Sequence, residues 1–291
     1  MAMRVVVTGG AGHLGSAVCE VLAEAGLDVL SVDRVYERDL PVRQEVANLL
    51  DGPGVYRLLR DREAVVHLAN IPNPFGPTPP QQLYSDNVTM DMNVFQAAVE
   101  LGARKLIFSS SVQAFSGSRS MDEPEVPSCL PYLPIDGDVP ARPGNAYALS
   151  KAAGEQQLRY FAALDPGLAC AALRFPVLLS EWNMRWLRRA GRQRWHRYGG
   201  NPDEGFSYLT VKDAGRLVLA ILGKLPAGYH QFFPATTDSH AEMSVPELIE
   251  KYYRGVPLRV PVEKMTSLID ISAVTQQLGW VPQDTGIFRS T

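Results

Sequence analysis

Short apolar runs alternate with longer segments whose apolar residues recur at helical spacing along the first part of the chain. Continuous apolar runs of this length are typical of parallel strands that are covered on both faces. They predict strands at residues 4–8, 27–32, 64–68, 105–108 and 169–175, and the helical spacing predicts helices from Leu14, at 81–101 and at 146–164. Such alternation predicts right-handed crossovers and therefore an α/β fold with a doubly wound parallel sheet.

The pattern becomes irregular after about residue 176, with predicted helices at 211–222, 244–253 and 271–278. We therefore expect a main domain over residues 1–175 and a small C-terminal substrate lobe over 176–291, some of whose strands or helices return to the main sheet. Residues 116–144 are rich in Pro, Gly and acidic side chains, which predicts a long loop. A loop of this length inside a compact domain is usually functional.

Composition and charge favour an enzyme that acts on a small molecule. The chain has 291 residues, 46% of them hydrophobic and 20% charged, and its net charge of −3 gives no electrostatic reason to expect nucleic acid or an anionic membrane as a partner. Cys19, Cys129 and Cys170 have neither a disulfide pattern nor metal-binding spacing, so we expect free thiols and no metal site. The absence of a membrane-length apolar run and of a secretory leader favours a cytoplasmic protein.

A glycine-rich turn, TGGAGHLG, joins the first predicted strand to the first predicted helix. Gly9 permits the tight turn, Gly12 lets backbone N–H groups approach a pyrophosphate at the helix N-terminus, and Gly15 lets helix and strand pack closely. Glycine-rich turns also occur as plain connectors. The order of strand, turn and helix nevertheless predicts a Rossmann-like dinucleotide site here, with His13 and Leu14 beside the cofactor.

An acidic residue follows the second predicted strand, where a Rossmann-like site holds the adenosine ribose. Asp33 is placed to accept hydrogen bonds from both ribose hydroxyls, which favours NAD because a 2′-phosphate would meet a like charge. Arg34 lies beside it and could pair with that phosphate, so NADP is not excluded.

Tyr147 and Lys151 are one helical turn apart in the run YALSK, so their side chains share a helix face. A nearby ammonium lowers the pKa of a phenol and makes it a usable general acid and base. Serines 109–111 follow a predicted strand and could orient a substrate oxygen. This spacing is common on helix surfaces, but together with the glycine-rich turn it predicts hydride transfer with proton exchange at a carbinol carbon.

Several motifs in this order resemble the extended short-chain dehydrogenase/reductases of the NAD-dependent epimerase/dehydratase type. The resemblance covers nearly the whole chain. It rests on TGGAGHLG, VVHLAN (65–70), DNVTMDMNVFQAA (86–98), KLIFSSSV (105–112), LPIDGDVPARPGNAYALSK (133–151), FSYLTVKDAG (206–215) and DISAVTQQLGWVP (270–282).

The resemblance implies a catalytic set of Tyr147, Lys151 and Ser111, with Lys151 also holding the nicotinamide ribose. It implies that Val112 and Gln113 contact substrate beside Ser111. It implies a homodimer in which helices 81–101 and 146–164 form a four-helix bundle across a two-fold axis. The full set of cofactor-binding residues expected from the motifs and the resemblance is Gly9, Gly12, His13, Leu14, Gly15, Asp33, Arg34, Asn48, Leu49, Leu68, Ala69, Asn70, Asn87, Ser109, Tyr147, Lys151, Phe175, Pro176 and Val177.

The chain departs from the family pattern where a nucleotide sugar would be held. Nucleotide-sugar members usually have an Asn soon after the Arg of the strand that matches residues 173–177, and an Arg within the motif that matches 205–211; this chain has neither. Asn48 stands where the family often has an Asp against the adenine. The missing groups would normally hold a diphosphate, which argues for a substrate held differently.

Three functions therefore stay open. The run DISAVTQQLGWVP favours an epimerase or dehydratase that acts on a sugar or sugar-like substrate and regenerates NAD in each cycle. The short chain and the missing diphosphate contacts favour an NAD-dependent dehydrogenase of a free sugar, a uronate or another small alcohol. A non-catalytic dinucleotide sensor ranks below both because such proteins commonly lose the Tyr or the Lys.

An arginine-rich stretch follows the last predicted strand of the main domain. Its arginines are Arg185, Arg188, Arg189, Arg192, Arg194 and Arg197. Arginines in such a cluster can clamp a carboxylate or phosphate, and they can equally form a solvated helix face or a subunit contact. Arg185 comes first in the lobe and is the best candidate to bind an anionic part of the substrate.

Overall fold

A computed structural model describes residues 2–36, 40–72, 76–190 and 201–288, without the side chains of 186–190. Its main sheet contains seven parallel strands in the order β3-β2-β1-β4-β5-β6-β9. Their bounds are β1 Arg4–Thr8, β2 Asp28–Asp33, β3 Arg43–Val46, β4 Ala64–His67, β5 Lys105–Ser111, β6 Ala169–Phe175 and β9 Gly228–Phe232; β7 Val177–Leu179 and β8 Tyr208–Thr210 form a separate parallel pair. The strand order reverses between β1 and β4, which confirms the predicted Rossmann-like, doubly wound sheet.

Helices cover both faces of this sheet. Their bounds are α1 His13–Glu24, α2 Gly52–Leu59, α3 Pro80–Glu100, α4 Ala146–Leu164, α5 Glu181–Ala190, α6 Val211–Lys224, α7 Val245–Tyr252 and α8 Ser272–Leu278. Helices α1, α6 and α8 contribute to the core on one face, and α2, α3 and α4 to the core on the other. Because both faces of the sheet are covered, the inner strands β1, β2, β4, β5 and β6 are almost fully buried and consist mainly of apolar residues, whereas the edge strands β3 and β9 are partly exposed.

The predicted and observed elements agree within about two residues in most places. The helix predicted at 146–164 and the strands predicted at 4–8 and 169–175 have the observed bounds. The strand predicted at 105–108 continues through Ser111, because the three serines pair in register with β6. Neither the strand Arg43–Val46 nor the helix Gly52–Leu59 was predicted.

A third hydrophobic cluster lies outside the main sheet and contains residues from the long loop and from the C-terminal part of the chain. In the loop, Leu133 forms an isolated parallel bridge with Leu258, and Ile135 forms one with Ile269. The segment 116–144 contains no helix or strand beyond such isolated bridges. Helices α6 and α8 and strand β9 all lie beyond residue 175 and belong to the main sheet and its core.

Among the described residues, three features bear on the class of protein: the length and hydropathy of the helices, the grouping of possible metal ligands and the state of the cysteines. None of their helices is both long and apolar enough to span a membrane. The same residues contain no group of three or more His, Cys, Asp and Glu side chains that could hold a metal ion. Cys19, Cys129 and Cys170 are free thiols, and burial raises the pKa of each to about 12.

Candidate active site

A cleft of about 630 Å³ lies at the carboxyl ends of the parallel strands, beside the point where the strand order reverses. Ligands of doubly wound sheets bind in this position. The predicted residues that line it are Gly9, Gly12, His13, Leu14, Gly15, Asp33, Arg34, Leu49, Leu68, Ala69, Asn70, Ser109, Ser111, Val112, Gln113, Tyr147, Phe175, Pro176 and Val177. Asn48, Asn87, Lys151 and Arg185 are not among the lining residues.

The glycine-rich turn has space only for glycine at two of its predicted positions. Gly9 has a φ of +73°, and a Cβ there would lie 2.7 Å from the backbone nitrogen of Ala69. A Cβ on Gly15 would lie 2.0 Å from the carbonyl oxygen of Gly9. Helix α1 begins just after Gly12, and no side chain caps its first N–H groups. Uncapped N–H groups at a helix start bind phosphate, so this turn fits a dinucleotide pyrophosphate.

Asp33 ends β2 with its carboxylate in the cleft. One oxygen accepts a hydrogen bond from the Ala11 N–H at 3.1 Å and the other from the Arg34 N–H at 2.6 Å. These contacts fix the carboxylate where an adenosine ribose would lie in a site of this fold, and Arg34 lines the cleft beside it. Asn48 instead accepts a hydrogen bond from the Leu50 N–H, so its side-chain oxygen is engaged by its own loop.

Tyr147 lies in the first turn of α4, and its side chain lines the cleft although only 8% of the residue is exposed. The helix starts at this point because the Asn145 side chain accepts the Ala148 N–H at 2.8 Å. Burial raises the pKa of Tyr147 to about 12, while a hydrogen bond with Ser111 works in the opposite direction. The negative charges of Glu204 and Asp91 raise it further, so the phenol is protonated at neutral pH.

Lys151 lies beneath the cleft, one turn along α4 from Tyr147. Its ammonium group donates to the Ser109 carbonyl oxygen at 2.7 Å and lies 5.7 Å from the centre of the Tyr147 ring. Burial lowers the pKa of Lys151 to about 8, although the charges of Asp91 and Glu155 raise it. The structure therefore brings the predicted Tyr and Lys together, with the Lys as a support for the site.

The serine run belongs to β5, and its three members have different environments. Ser111 lines the cleft and its hydroxyl accepts the Gln113 N–H at 3.2 Å. The Ser110 hydroxyl points away and donates to the Glu155 carboxylate at 2.6 Å. Ser109 contributes its carbonyl oxygen to Lys151. Ser111 is therefore the member whose hydroxyl is near Tyr147, as the family resemblance implies.

The model of the NAD dependent epimerase/dehydratase family matches residues 5–231, which includes the glycine-rich turn, Asp33, Ser111, Tyr147 and Lys151. The chain belongs to this family. The family is NAD-dependent, and the residues around the cleft fit such a cofactor at the glycine-rich turn and at Asp33.

Similar proteins include UDP-glucose 4-epimerases and an NAD-dependent glucose-6-phosphate dehydrogenase. A UDP-glucose 4-epimerase of Corynebacterium glutamicum is 26% identical over 98% of this chain and 92% of its own length. A UDP-glucose 4-epimerase of Azospirillum brasilense is 30% identical over 65% of this chain, and the match spans about half of that enzyme (51%). An NAD-dependent glucose-6-phosphate dehydrogenase of Haloferax volcanii is 29% identical over 55% of this chain and 63% of its own length.

Solved structures show the same fold. A UDP-glucose 4-epimerase of Thermotoga maritima has a TM-score of 0.70 at 22% identity, covering 98% of this chain and 96% of that one. A uronate dehydrogenase of Agrobacterium tumefaciens has a TM-score of 0.64 at 20% identity, covering 98% and 86% of the two chains.

Asn87 contacts helix α4 from below the cleft. Its amide donates to the Ser150 hydroxyl at 3.1 Å, and its oxygen accepts the Ile71 N–H at 2.7 Å. Ile71 itself lines the cleft, so Asn87 connects the loop after β4 with α4. Its place in the structure is that of a support rather than a direct contact.

Arg185 lies on α5 and is exposed, with its guanidinium paired to Glu181 at 3.0 Å. The structure does not bring it into the cleft, so an anion clamp at this position stays a prediction. The side chains of Arg188 and Arg189, and residues Arg192, Arg194 and Arg197, lie outside the part of the structure that is described.

Ser110, one of the three candidate serines, also lines the cleft, and further lining residues were not predicted from the sequence: Ala11, Ala47, Ile71, Pro72, Met90, Leu178 and Glu204. Most of them are apolar or small and extend the walls of the cleft. Glu204 differs because it is a carboxyl group beside Tyr147, and burial raises its pKa to about 7. The run NPDEGF around it indicates only a turn, so local sequence gives no signal that this acid faces the site.

Proposed function

We propose that the protein catalyses NAD-dependent hydride transfer at a carbinol carbon of a sugar or sugar-like substrate, as an epimerase or dehydratase of its family. The observation that carries this proposal is the shared cleft: Tyr147 and Ser111 line the same cavity as the glycine-rich turn and Asp33. When bound, the cofactor supplies the hydride acceptor and donor. Ser111 orients the substrate oxygen, and Tyr147 exchanges the hydroxyl proton with it.

The surroundings of Tyr147 favour its protonated form. With a pKa near 12, the phenol holds its proton at neutral pH and can donate it to a carbonyl oxygen. The reverse transfer requires a lower pKa, and the Lys151 ammonium near the ring favours the phenolate. Lys151 is largely protonated at pH 7 because its pKa, though lowered, is about 8.

We propose NAD rather than NADP as the cofactor, because the Asp33 carboxylate lies where a 2′-phosphate would need space and positive charge. Arg34 is the group that works against this choice, since it also lines the cleft. Lys151 is proposed to hold the nicotinamide ribose from below.

A second candidate function is a dehydrogenase of a free sugar, uronate or other small alcohol. The observation that favours it is the charge of the cleft: among its described lining residues, the basic ones are His13 and Arg34, which belong to the glycine-rich turn and the Asp33 end. No described lining residue at the Tyr147 end supplies a cation for a diphosphate. Arg185 would have to move toward the cleft to do so.

We also propose a homodimer formed by α3 and α4. These helices pack together, and the exposed apolar residues Leu149, Tyr160 and Leu164 of α4 would be covered by a second copy. A cytoplasmic location is proposed from the free thiols, which suit a reducing compartment.

The first experiment measures whether the purified protein releases stoichiometric NAD(H) when it is denatured. Tight retention supports an epimerase or dehydratase, which recycles its cofactor, and directs assays to the interconversion of UDP-sugars. A protein that binds added NAD reversibly supports the dehydrogenase, and NADH formation is then followed at 340 nm with free sugars, uronates and small alcohols.

Replacing Tyr147 by Phe tests the catalytic assignment. The phenol is the group that moves the proton, so turnover should fall by at least about a hundredfold while NAD binding stays nearly unchanged. Tyr56→Phe is the matched control, since it removes a hydroxyl from a tyrosine of α2 that is bonded to Glu100 away from the cleft. Retention of full turnover by Tyr147→Phe would contradict the assignment.

A further inference from the structure

Glu204 is held in a rigid turn at the edge of the cleft. The turn Pro202–Glu204 is a short 3-10 helix that begins at Asn201, whose side chain accepts the Asp203 N–H at 3.0 Å. The Asn201 amide also donates to the Ser116 carbonyl oxygen at 2.8 Å. Gly205 ends the turn with a φ of +69°. The position of Glu204 is therefore fixed from both sides and by the long loop.

The residue before it anchors this turn. Asp203 is fully buried. Its carboxylate accepts hydrogen bonds from the Arg119 guanidinium at 2.9 Å, from the Ser128 hydroxyl at 2.8 Å and from the Cys129 N–H at 2.8 Å. A buried charge with these partners is costly to move. The Asp203 carboxylate is thus directed toward the long loop, whereas the Glu204 carboxyl group lines the cleft.

The Glu204 carboxyl group retains capacity to accept hydrogen bonds. Among the described residues, its side-chain hydrogen bond is a long one from the Ser116 hydroxyl, 3.4 Å to one oxygen. A carboxylate can accept about four hydrogen bonds. It also lies near enough to Tyr147 for its charge to raise the pKa of that phenol. The reacting end of the cleft therefore has an acceptor beside the proposed proton donor.

We propose that Glu204 is a specificity-determining residue that accepts a hydrogen bond from a substrate hydroxyl beside the reacting carbinol and disfavours a carboxylate on the same sugar ring. The inference rests on the proposed function, because it takes Tyr147 as the reacting end. Two carboxylates within a ring's width of each other repel, and burial of the Glu204 carboxyl group weakens the screening by water. The substrate class that fits is a neutral polyhydroxy ring, which disfavours uronates.

The test compares ligand pairs that differ by a CH2OH group and a carboxylate on the ring. Binding of UDP-glucose and UDP-glucuronate, and of D-glucose and D-glucuronate, is measured by calorimetry at pH 8 with NAD⁺ present. A Tyr147→Phe background prevents turnover. The neutral member of a pair should bind up to about tenfold more tightly. Like charges a ring's width apart repel by at least this factor, but Glu204, with a pKa of about 7, avoids a larger penalty at pH 8 by taking up a proton.

Glu204→Gln in the same background should reduce that preference to within about threefold, because the amide keeps the shape and loses the charge. Glu125→Gln is the matched control, since it removes one charge from an exposed position of the long loop and should leave the preference unchanged. Glu204→Ala replaces the amide variant if that variant does not fold.

Two kinds of result would overturn the role of Glu204, and they distinguish an error in that role from an error in the proposed function. If the sugars bind but the acidic member binds as well as the neutral one, or if Glu204→Gln leaves the ratio unchanged, the role of Glu204 is wrong while the proposed function stands. If none of the four ligands binds any variant, the sugar substrate of the proposed function is wrong, and the role of Glu204 falls with it.

Discussion

Replacing Lys151 by Met should make the fold more stable at neutral pH while removing activity. The buried ammonium has its pKa lowered from 10.5 to about 8, which corresponds to a cost of about 3 kcal/mol because each factor of ten in proton affinity is about 1.4 kcal/mol. Met has a similar shape and no charge. The variant loses the hydrogen bond to Ser109, worth about 1 kcal/mol, and the contact with the Phe108 ring at 4.8 Å, worth about 1 kcal/mol. The expected net gain is about 1 kcal/mol at pH 7.

The pH dependence is the sharper part of this prediction. The unfolded chain keeps the lysine proton up to about pH 10.5, whereas the folded protein releases it near pH 8. Between these values the folded state binds fewer protons, so the stability of the wild type rises with pH. The advantage of Lys151→Met should therefore shrink by about 2 kcal/mol between pH 7 and pH 10 and change sign within that range.

The assay is urea unfolding of the cofactor-free proteins, followed by tryptophan fluorescence at several pH values. Only the difference between variant and wild type is interpreted, because buried Cys and Tyr groups also titrate above pH 9 in both proteins. Lys212→Met is the matched control at an exposed position of α6 and should show a small difference that does not change with pH. A Lys151→Met difference that stays constant from pH 7 to pH 10 would refute the reasoning.

Two further substitutions test the cleft and its support. Gly15→Ala places a Cβ 2.0 Å from the Gly9 carbonyl oxygen, so binding of NAD should be lost and the free energy of unfolding should fall by about 2 kcal/mol or more. Gly223→Ala, on an open helix surface, should bind NAD as the wild type does and raise the free energy of unfolding by up to about 1 kcal/mol. Equal affinity for NAD in the two variants would contradict this. Glu155→Gln removes the ion-pair partner of the buried Arg174 guanidinium and should destabilise the fold by about 3 to 5 kcal/mol in urea unfolding. The double variant Glu155→Leu, Arg174→Met removes both charges and should recover most of this loss. A double variant no more stable than the single one would count against the prediction.

The sequence predicts those elements whose residues are buried along the whole strand or whose helix start has a clear cap. The strand Ala169–Phe175 and the helix Ala146–Leu164 were predicted with their observed bounds, since one is buried along its whole length and apolar except for Arg174, and the other starts at an Asn cap. The strand Arg43–Val46 was missed because it lies at the sheet edge, where its polar side chains stay partly exposed. The helix Gly52–Leu59 was missed because its first residues, GPG, are typical of a turn.

The site was predictable where one backbone motif determines the position of a residue, and not where a distant segment supplies it. The glycine-rich turn, Asp33 and Tyr147 each follow a strand or start a helix that the sequence predicts, so their meeting at one edge of the sheet follows from topology. Glu204 reaches the same edge only because its turn is bonded to Ser116 and Arg119 of the long loop. No motif or residue spacing in the sequence predicts that the turn around Glu204 contacts the long loop.

This distant contact affects the chemistry because it sets the charge around Tyr147. A phenol with a pKa near 12 can donate a proton at neutral pH, but the phenolate that accepts one forms readily only if this pKa falls by several units. Lys151 is already in place, so the remaining decrease requires positive charge brought into the cleft or negative charge removed from it. Glu204, with a pKa near 7, is the negative group in the cleft whose charge can be lost at neutral pH. A substrate hydroxyl that donates to Glu204 weakens its field at Tyr147, and the same contact that selects the substrate would then favour the phenolate that accepts the proton of the reacting hydroxyl.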